Sequence, residues 1–131
     1  MSDGSERVVE LARARTAATD NVDVRRAWVP NEWPSETFDL VVISELGYFL
    51  SGDALDALTV KTRASLRAGG TVLACHWRRH SDDCEFNGDE VHRRLGKGLG
   101  MPHLSQLEEL DLRIDVWCEN PESVAEREGF A

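Results

Sequence analysis

Residues 38–44, Phe-Asp-Leu-Val-Val-Ile-Ser, form an almost continuous run of apolar and mostly β-branched side chains. Such a run is typical of a strand buried on both faces, as in a parallel sheet covered by helices. Residues 71–77 have the same pattern, and a helix is predicted between them from Ser51 or Asp53 to Leu66, ended by Gly69-Gly70. The apolar stripe of that helix consists of Leu55, Leu58, Thr62 and Leu66. The order strand, helix, strand predicts an α/β fold with a parallel sheet.

The N-terminal third predicts one helix and one strand. Residues 4–16 have a modest helical stripe, and Asp3 is in capping-box spacing with Glu6. Residues 22–29 predict a short strand, followed by a loop between Pro30 and Pro34, because proline fits neither a helix interior nor a central strand. The helical stripe places Val8, Leu11, Ala12 and Arg15 on one face. The strand residues expected to face inward are Val22, Val24 and Ala27.

The C-terminal half predicts an antiparallel strand pair and two helices. The alternation of Leu112, Ile114 and Val116 indicates a strand, which a turn at Asp111 joins to the strand before it. The predicted elements are a helix from the capping box at 87–90 to about Leu95, a glycine-rich break at 96–100, strands at 104–110 and 112–118, and a short helix from Pro121 to Glu128, capped by Asn120.

Composition narrows the class of protein. The 131 residues carry a net charge of −9, which disfavours binding to the phosphate backbone of nucleic acids. The most apolar stretch, residues 38–50, contains Asp39 and Glu45 and so does not predict a membrane span. The N-terminus lacks the pattern of a signal peptide, and three unclustered cysteines favour a reducing compartment. We therefore expect a cytoplasmic protein with a single domain.

Three candidate side-chain clusters follow predicted strands. An open α/β sheet places its ligand site at the carboxyl ends of its strands, which here are residues 28–30, 44–48 and 75–78. A zinc site made of Cys75, His76, His80 and Cys84 is disfavoured, because neighbours on a strand point to opposite faces. A triad of Ser44, His76 and Asp39 is disfavoured, because the sequence lacks the Gly-x-Ser-x-Gly turn. Another α/β enzyme, such as a nucleotide-binding domain, would need a phosphate-binding loop, and none is visible in the sequence.

Four segments carry a family resemblance: Val-Pro-Asn-Glu-Trp-Pro at 29–34, Phe-Asp-Leu-Val-Val-Ile-Ser-Glu-Leu-Gly-Tyr-Phe-Leu at 38–50, Leu-Arg-Ala-Gly-Gly-Thr-Val-Leu-Ala-Cys-His-Trp-Arg at 66–78 and Gly-Asp-Glu-Val-His at 88–92. From about Asp3 to Cys118 the chain resembles class I S-adenosylmethionine-dependent methyltransferases, in particular the nodulation (NodS-like) subgroup. The resemblance implies a Rossmann-like class I methyltransferase sheet with an antiparallel C-terminal strand pair. It also implies a partial methyltransferase domain at 1–120 and a tail or short helix at 121–131.

The resemblance implies a cofactor site for S-adenosylmethionine. Asp3 matches the acidic residue that accepts hydrogen bonds from the ribose hydroxyls, a task suited to an acceptor-only group. Ala27 and Trp28 match the loop that flanks the adenine, and Ser44 and Glu45 match the strand end beside the methionine part.

The resemblance also implies a site for a small-molecule methyl acceptor, an amine and in particular an amino sugar. Glu45, His76 and His92 are the candidates for removing a proton from the amine. The residues expected to line the acceptor pocket are Tyr48, Trp77, Asp89 and Glu90.

Each of these residues also has a purely structural interpretation. Asp3 is equally suited to capping its helix, and Trp28 to packing beside the proline loop. His76 could be a hydrogen-bonded core histidine, His92 could lie on the solvent face of its helix, and Tyr48 could cover the core.

The chain departs from the family pattern at its N-terminus. The first family strand and its glycine-rich loop are absent, and residues 96–100, although Gly-x-Gly-x-Gly, follow a helix and not a strand. The resemblance therefore implies an N-terminally truncated sheet, in which residues 38–44 have an unpaired apolar edge. We expect the 131 residues alone to be marginally stable, and this edge could support a homodimer. The rival hypothesis is a catalytically inactive fragment or pseudo-enzyme that acts through the edge.

Overall fold

A computed structural model of the chain describes residues 1–130, the side chain of Arg127 excepted. The chain divides into two compact units, Met1–Ser35 and Glu36–Ala131. The predicted division into residues 1–120 and 121–131 stays a prediction. No helix within the described residues is both long enough and apolar enough to cross a membrane.

The first unit contains two short parallel strands with a helix between them. Strand β1 (Ser2–Asp3) pairs with β2 (Arg25–Arg26), and α1 comprises Glu6–Thr16. The prediction that Asp3 caps α1 is wrong, because Ser5 is the cap and its Oγ accepts a hydrogen bond from the Val8 N–H. Asp3 instead lies in β1, and its Oδ1 accepts from the Ser5 N–H at 2.7 Å.

Burial in the first unit differs from the predicted pattern. The inward residue of α1 is Val9, which is 1% exposed, whereas Val8 and Leu11 face outward. The predicted strand at 22–29 is reduced to β2, which is as short as its partner β1. Val24 is buried as expected, but Val22 is exposed.

The second unit is built on a four-stranded sheet. Its strand order is β3 (Phe38–Ser44), β4 (Leu66–Trp77), β6 (Leu112–Cys118) and β5 (His103–Glu108). β3 and β4 are parallel, and the β4–β6 and β6–β5 pairs are antiparallel. The predicted α/β class and the antiparallel C-terminal strand pair are confirmed.

The prediction that residues 38–44 are buried on both faces is wrong. Ile43 is buried, but Leu40 and Val42 are 52% and 55% exposed. The helices α2 (Gly52–Ala64) and α3 (Gly88–Leu99) pack on the face to which Ile43 points, and β3 is the terminal strand of the sheet. A local run of apolar residues cannot distinguish an edge strand from a central one.

Two further predictions, both of helix ends at glycines, are wrong. α3 continues to Leu99 instead of ending near Leu95, because its glycines allow close packing: a β-carbon on Gly98 would lie 2.8 Å from Thr59 Cγ2 in α2. The helix ends at Gly100, whose φ of +59° suits glycine. Gly69 and Gly70 do not end α2 but lie in β4.

The last helix begins later than predicted. α4 comprises Val124–Arg127, and its cap is Ser123 and not Asn120. Ser123 and Glu126 form a reciprocal capping box, with hydrogen bonds of 3.1 Å and 2.7 Å. Two satisfied backbone donors favour this start over the Asn-Pro pair upstream.

Substitution of Gly88 tests how tightly α3 packs against β4. A β-carbon on Gly88 would lie 2.2 Å from the Trp77 backbone oxygen, so the backbone of Gly88→Ala must shift. We expect a loss of about 1–3 kcal/mol in the free energy of unfolding, measured with urea. Gly52 is the matched control, because it also begins a helix but would meet only the ends of two long side chains, Arg94 Nη2 at 3.1 Å and Glu85 Oε1 at 3.5 Å. Equal denaturation midpoints for the two variants would refute this account of the packing.

Candidate functional site

Glu45 lies at the carboxyl end of β3 in a strained backbone conformation. Its φ is +51°, in the left-handed region that costs a residue with a side chain roughly 1–2 kcal/mol. Its N–H donates to the Cys75 carbonyl at 2.9 Å, which continues the β3–β4 pairing by one residue. Strain of this kind at an exposed acidic side chain is typical of functional positions.

Two hydrogen bonds orient the Glu45 carboxylate. Its Oε1 accepts from the Trp77 N–H at 2.9 Å, and its Oε2 accepts from the Tyr48 hydroxyl. Burial, and then the hydrogen bond to Glu45, raises the pKa of Tyr48, so the phenol remains a protonated donor. The structure thus brings together three of the predicted site residues, and Glu45 itself is exposed.

A row of buried polar side chains lies beneath this cluster. The Gly47 N–H donates to His76 Nε2 at 3.1 Å, and His76 Nδ1 lies 3.0 Å from His92 Nε2. His92 Nδ1 lies 2.6 Å from Asp115 Oδ2. We call His76, His92 and Asp115 the histidine relay; each of the three is at most 1% exposed.

The charges in the histidine relay follow from burial and hydrogen bonding. Burial lowers the pKa of His76 to about 3, and burial also lowers the pKa of His92 although Asp115 opposes the shift. For Asp115, burial acts to raise the pKa, but hydrogen bonds from Arg113, His92 and His103 bring it below its ordinary value. At neutral pH, His76 and His92 are therefore neutral and Asp115 is a charged carboxylate.

These contacts bear on the predicted catalytic residues. His92 is buried, which contradicts the interpretation that it lies on the solvent face of its helix. Both ring nitrogens of His76 are engaged, with Gly47 and His92, so the alternative triad with Ser44 and Asp39 is not formed. The catalytic role of His76 and His92 stays a prediction, and burial favours a supporting role for both.

The lowered pKa of His76 predicts that stability depends on pH. The unfolded chain binds a proton at His76 below its ordinary pKa of 6.5, whereas the folded chain does so only near pH 3. This contribution to stability is therefore complete above about pH 6.5 and is lost progressively as the pH falls from 6.5 towards 3. Urea midpoints measured across this range should show a steeper decline for the wild type than for His76→Gln. The exposed His80→Gln is the control, and identical pH slopes for wild type and His76→Gln would contradict the prediction.

The predicted acceptor residues have structural partners. Trp77 is 44% exposed, and Tyr48 is half-buried. Asp89 receives hydrogen bonds from Arg78 Nε and Nη2, both at 3.0 Å, and this pairing lowers the pKa of Asp89. Glu90 completes the capping box of α3 by accepting from the Asn87 N–H.

A shallow depression of about 500 Å³ lies beside Asp89. It is lined by Arg78, Arg79, His80, Asp89 and Leu110. Arg78 and Arg79 were not among the predicted site residues, although both directly follow the carboxyl end of β4, where ligand sites form. Mixed charge at this depression suits a polar acceptor.

In the first unit, the structure brings together the residues predicted to bind the nucleoside. The Ala27 N–H donates to the Asp3 carbonyl at 3.0 Å. The Trp28 ring lies against Gly4, where a β-carbon would be 3.0 Å from ring carbons, and the residue is 60% exposed. A carboxylate acceptor and an open aromatic ring fit a ribose and a purine, and the exposure disfavours a packing role for Trp28.

The described residues contain no group of three or more side chains placed to hold a metal ion. Cys75, Cys84 and Cys118 are free thiols. The zinc site considered from the sequence is therefore not formed within residues 1–130.

The strand order, in which β6 alone runs opposite to the other three strands, matches the Rossmann-like fold of class I methyltransferases. A Pseudomonas syringae protein assigned as a methyltransferase is 38% identical; the match covers 89% of this chain and 70% of that one, with a TM-score of 0.77. The chain therefore belongs to the methyltransferase family, and structural neighbours in complex with S-adenosyl-L-homocysteine support S-adenosylmethionine as its cofactor. No protein-family model and no curated protein matches the sequence.

Two more distant structures share the fold. The N-methyltransferase NodS from Bradyrhizobium japonicum WM9 is 18% identical, with 92% of this chain and 72% of that chain covered and a TM-score of 0.75. NodS is also known in complex with S-adenosyl-L-homocysteine. The glycopeptide N-methyltransferase MtfA is 16% identical, with 88% and 71% covered and a TM-score of 0.66.

Proposed function

We propose that the chain is a NodS-like N-methyltransferase that transfers a methyl group from S-adenosylmethionine to an amino group of a small molecule. The observation that carries the proposal is the exposed Glu45 carboxylate, which Trp77 and Tyr48 orient from both sides. Two of the structural neighbours, NodS and MtfA, are named N-methyltransferases, which supports the same chemistry here.

S-adenosylmethionine supplies a methyl group on a positively charged sulfur, and the protein contributes alignment and binding. Asp3 would bind the ribose, and Ala27 and Trp28 would contact the adenine. Ser44 and Glu45, at the end of β3, would contact the methionine part.

Glu45 suits the role of proton acceptor. An amine attacks through its lone pair, so the ammonium form must first lose a proton. After the ammonium nitrogen has given one proton to the Glu45 carboxylate, its lone pair would form the bond to the methyl carbon as the methyl carbon–sulfur bond breaks, and S-adenosyl-L-homocysteine would leave. The Tyr48 ring, whose hydroxyl donates to this carboxylate, favours a cationic acceptor, and the net charge of −9 attracts one.

Among amines, we favour an amino sugar. The resemblance to the NodS-like subgroup supports this class. So does the depression beside Asp89, because Arg78, Arg79 and His80 offer donors to hydroxyl groups.

The proposal is tested by incubating the chain with S-adenosylmethionine and matched acceptors. Glucosamine is compared with glucose, and cyclohexylamine with cyclohexanol, and mass spectrometry locates any added methyl group. We expect N-methylation of glucosamine in preference to cyclohexylamine and no product from the two alcohols. Methylation of oxygen alone would refute the proposed acceptor class.

A second candidate function is favoured by the position of β3. This strand ends the sheet, and its residues Leu40 and Val42 are exposed, which suits a homodimer through the β3 edge or a catalytically inactive protein acting there. If such a dimer forms, Leu40→Lys should shift it towards monomer, as measured by light scattering after size-exclusion chromatography. Leu110→Lys, on the exposed β5–β6 turn, is the matched control. A monomeric wild type would exclude the homodimer.

A further inference from the structure

We propose that Asp115 is a positioning residue for Glu45 and acts by fixing the tautomers of His76 and His92. This inference rests on the proposed function, because it concerns the same carboxylate. Asp115 lies in β6 and does not contact Glu45, so its influence must pass through the histidine relay.

The histidine relay has only one consistent direction of hydrogen bonding. The Gly47 N–H can only donate, so His76 Nε2 must accept and the neutral ring carries its proton on Nδ1. That proton is donated to His92 Nε2, so His92 in turn carries its proton on Nδ1. The second proton is donated to the Asp115 carboxylate, which is an acceptor only.

The far end of the histidine relay is fixed by two more donors. Arg113 Nε donates to Asp115 Oδ2 at 2.6 Å, and His103 Nε2 lies 2.6 Å from Oδ1. Three donors thus surround a carboxylate that is 1% exposed. The charge of Arg113 keeps Asp115 ionised, and an ionised Asp115 requires a proton on His92 Nδ1.

The near end of the histidine relay reaches the segment that carries Glu45. Gly47 is buried, and a β-carbon there would lie 2.3 Å from Val91 Cγ1, so the turn is pressed against α3. The Tyr48 ring meets the His76 ring edge-on, with centroids 5.5 Å apart. Because the Tyr48 hydroxyl donates to Glu45, the orientation of His76 influences the orientation of the carboxylate.

An extra proton on His92, or the reversed tautomer of His92, would alter the hydrogen bond at the Gly47 N–H. If His92 carried a proton on Nε2, that proton would face the one on His76 Nδ1. His76 would then have to place its proton on Nε2, opposite the Gly47 N–H. The resulting contact between two donors would loosen the turn and release Glu45 from its position.

The first test is the tautomer of each histidine in the unmodified chain. Two-bond ¹H–¹⁵N spectra of ¹⁵N-labelled protein near pH 7.5, without cofactor, distinguish protons on Nδ1 from protons on Nε2. We expect Nδ1–H on both His76 and His92. An Nε2–H tautomer on either residue overturns the proposal, and this measurement depends neither on a variant nor on activity.

The second test is Asp115→Asn, which replaces one acceptor oxygen by a donor of similar size. We expect the Gly47 amide resonance to shift and the His92 tautomer to change. We also expect kcat to fall on the order of tenfold to a hundredfold with little change in the KM for S-adenosylmethionine, the size of effect known for losing the hydrogen-bond partner that orients a metal-binding side chain.

The matched control is Asp20→Asn, which changes an exposed residue between α1 and β2 and should leave the spectra and kcat as in the wild type. A folded Asp115→Asn variant with an unmoved Gly47 resonance overturns the proposal. If the wild type methylates no amine, the proposed function fails, whereas the spectra still decide whether the histidine relay fixes the turn. If the variant does not fold, the wild-type tautomers alone support or overturn the proposal.

Discussion

Replacing Glu45 by glutamine is expected to slow methyl transfer to an amine by about 10²–10⁴-fold, the usual contribution of a positioned base. Glutamine keeps the length of the side chain and an oxygen that can accept from the Trp77 N–H, so the fold should persist. It cannot accept a proton from the substrate. The measurement is the single-turnover rate with saturating S-adenosylmethionine and amine, with the exposed Glu122→Gln as the control.

A pair of smaller substitutions separates chemistry from backbone strain at the same position. Glu45→Gly and Glu45→Ala both remove the carboxylate, so both should be slowed at least as much as the glutamine variant. Because φ is +51°, the glycine variant should be more stable than the alanine variant by roughly 1–2 kcal/mol. Activity of the glutamine variant close to that of the wild type would remove Glu45 from the role of base. Equal stability of the other two variants would contradict the strain.

Removing the Asp115 side chain is expected to have the largest effect on stability. Asp115→Ala leaves the buried His92 N–H and the Arg113 guanidinium without their shared acceptor. Breaking a buried pair in this way typically costs about 3–5 kcal/mol, which is a large part of the 5–15 kcal/mol typical of a whole domain. We expect the free energy of unfolding to fall by about 3–5 kcal/mol, as measured by urea denaturation followed by circular dichroism.

Asp111→Ala is the matched control for this effect. Asp111 pairs with Arg79, and both side chains are more than half exposed, so its loss should cost less than about 1 kcal/mol. Similar losses for the two variants would show that Asp115 is not a structural centre of the sheet.

The sequence predicted elements whose signals are local. The β-branched run at 38–44 and the stripe of α2 each specify their own element, and both are present in the structure. Burial of the two faces of β3 depends on its neighbours in the sheet, and the prediction for it was therefore wrong. The continuation of α3 through its glycines depends on packing against a second helix, since Gly98 packs against Thr59 of α2.

The site was predictable to a similar degree. The rule for strand ends located Glu45, and the resemblance indicated His76 and His92, but neither indicated that both histidines are buried. Asp115 was missed because the apolar alternation of β6 is the stronger signal in that segment. A weaker signal was present: Asp115 is an acidic residue between Ile114 and Val116, at a position whose side chain points to the opposite, helix-covered face.

Calorimetric titration of the chain with S-adenosyl-L-homocysteine, with a thermal melt alongside, tests the central claim most directly. If the chain binds the methyl donor as proposed, the titration should show saturable binding. The melting temperature should then rise with ligand concentration, because a ligand that binds only the folded state stabilises it. A chain that melts cooperatively but shows neither heat of binding nor a shifted melting temperature would contradict the assignment as an S-adenosylmethionine-dependent enzyme.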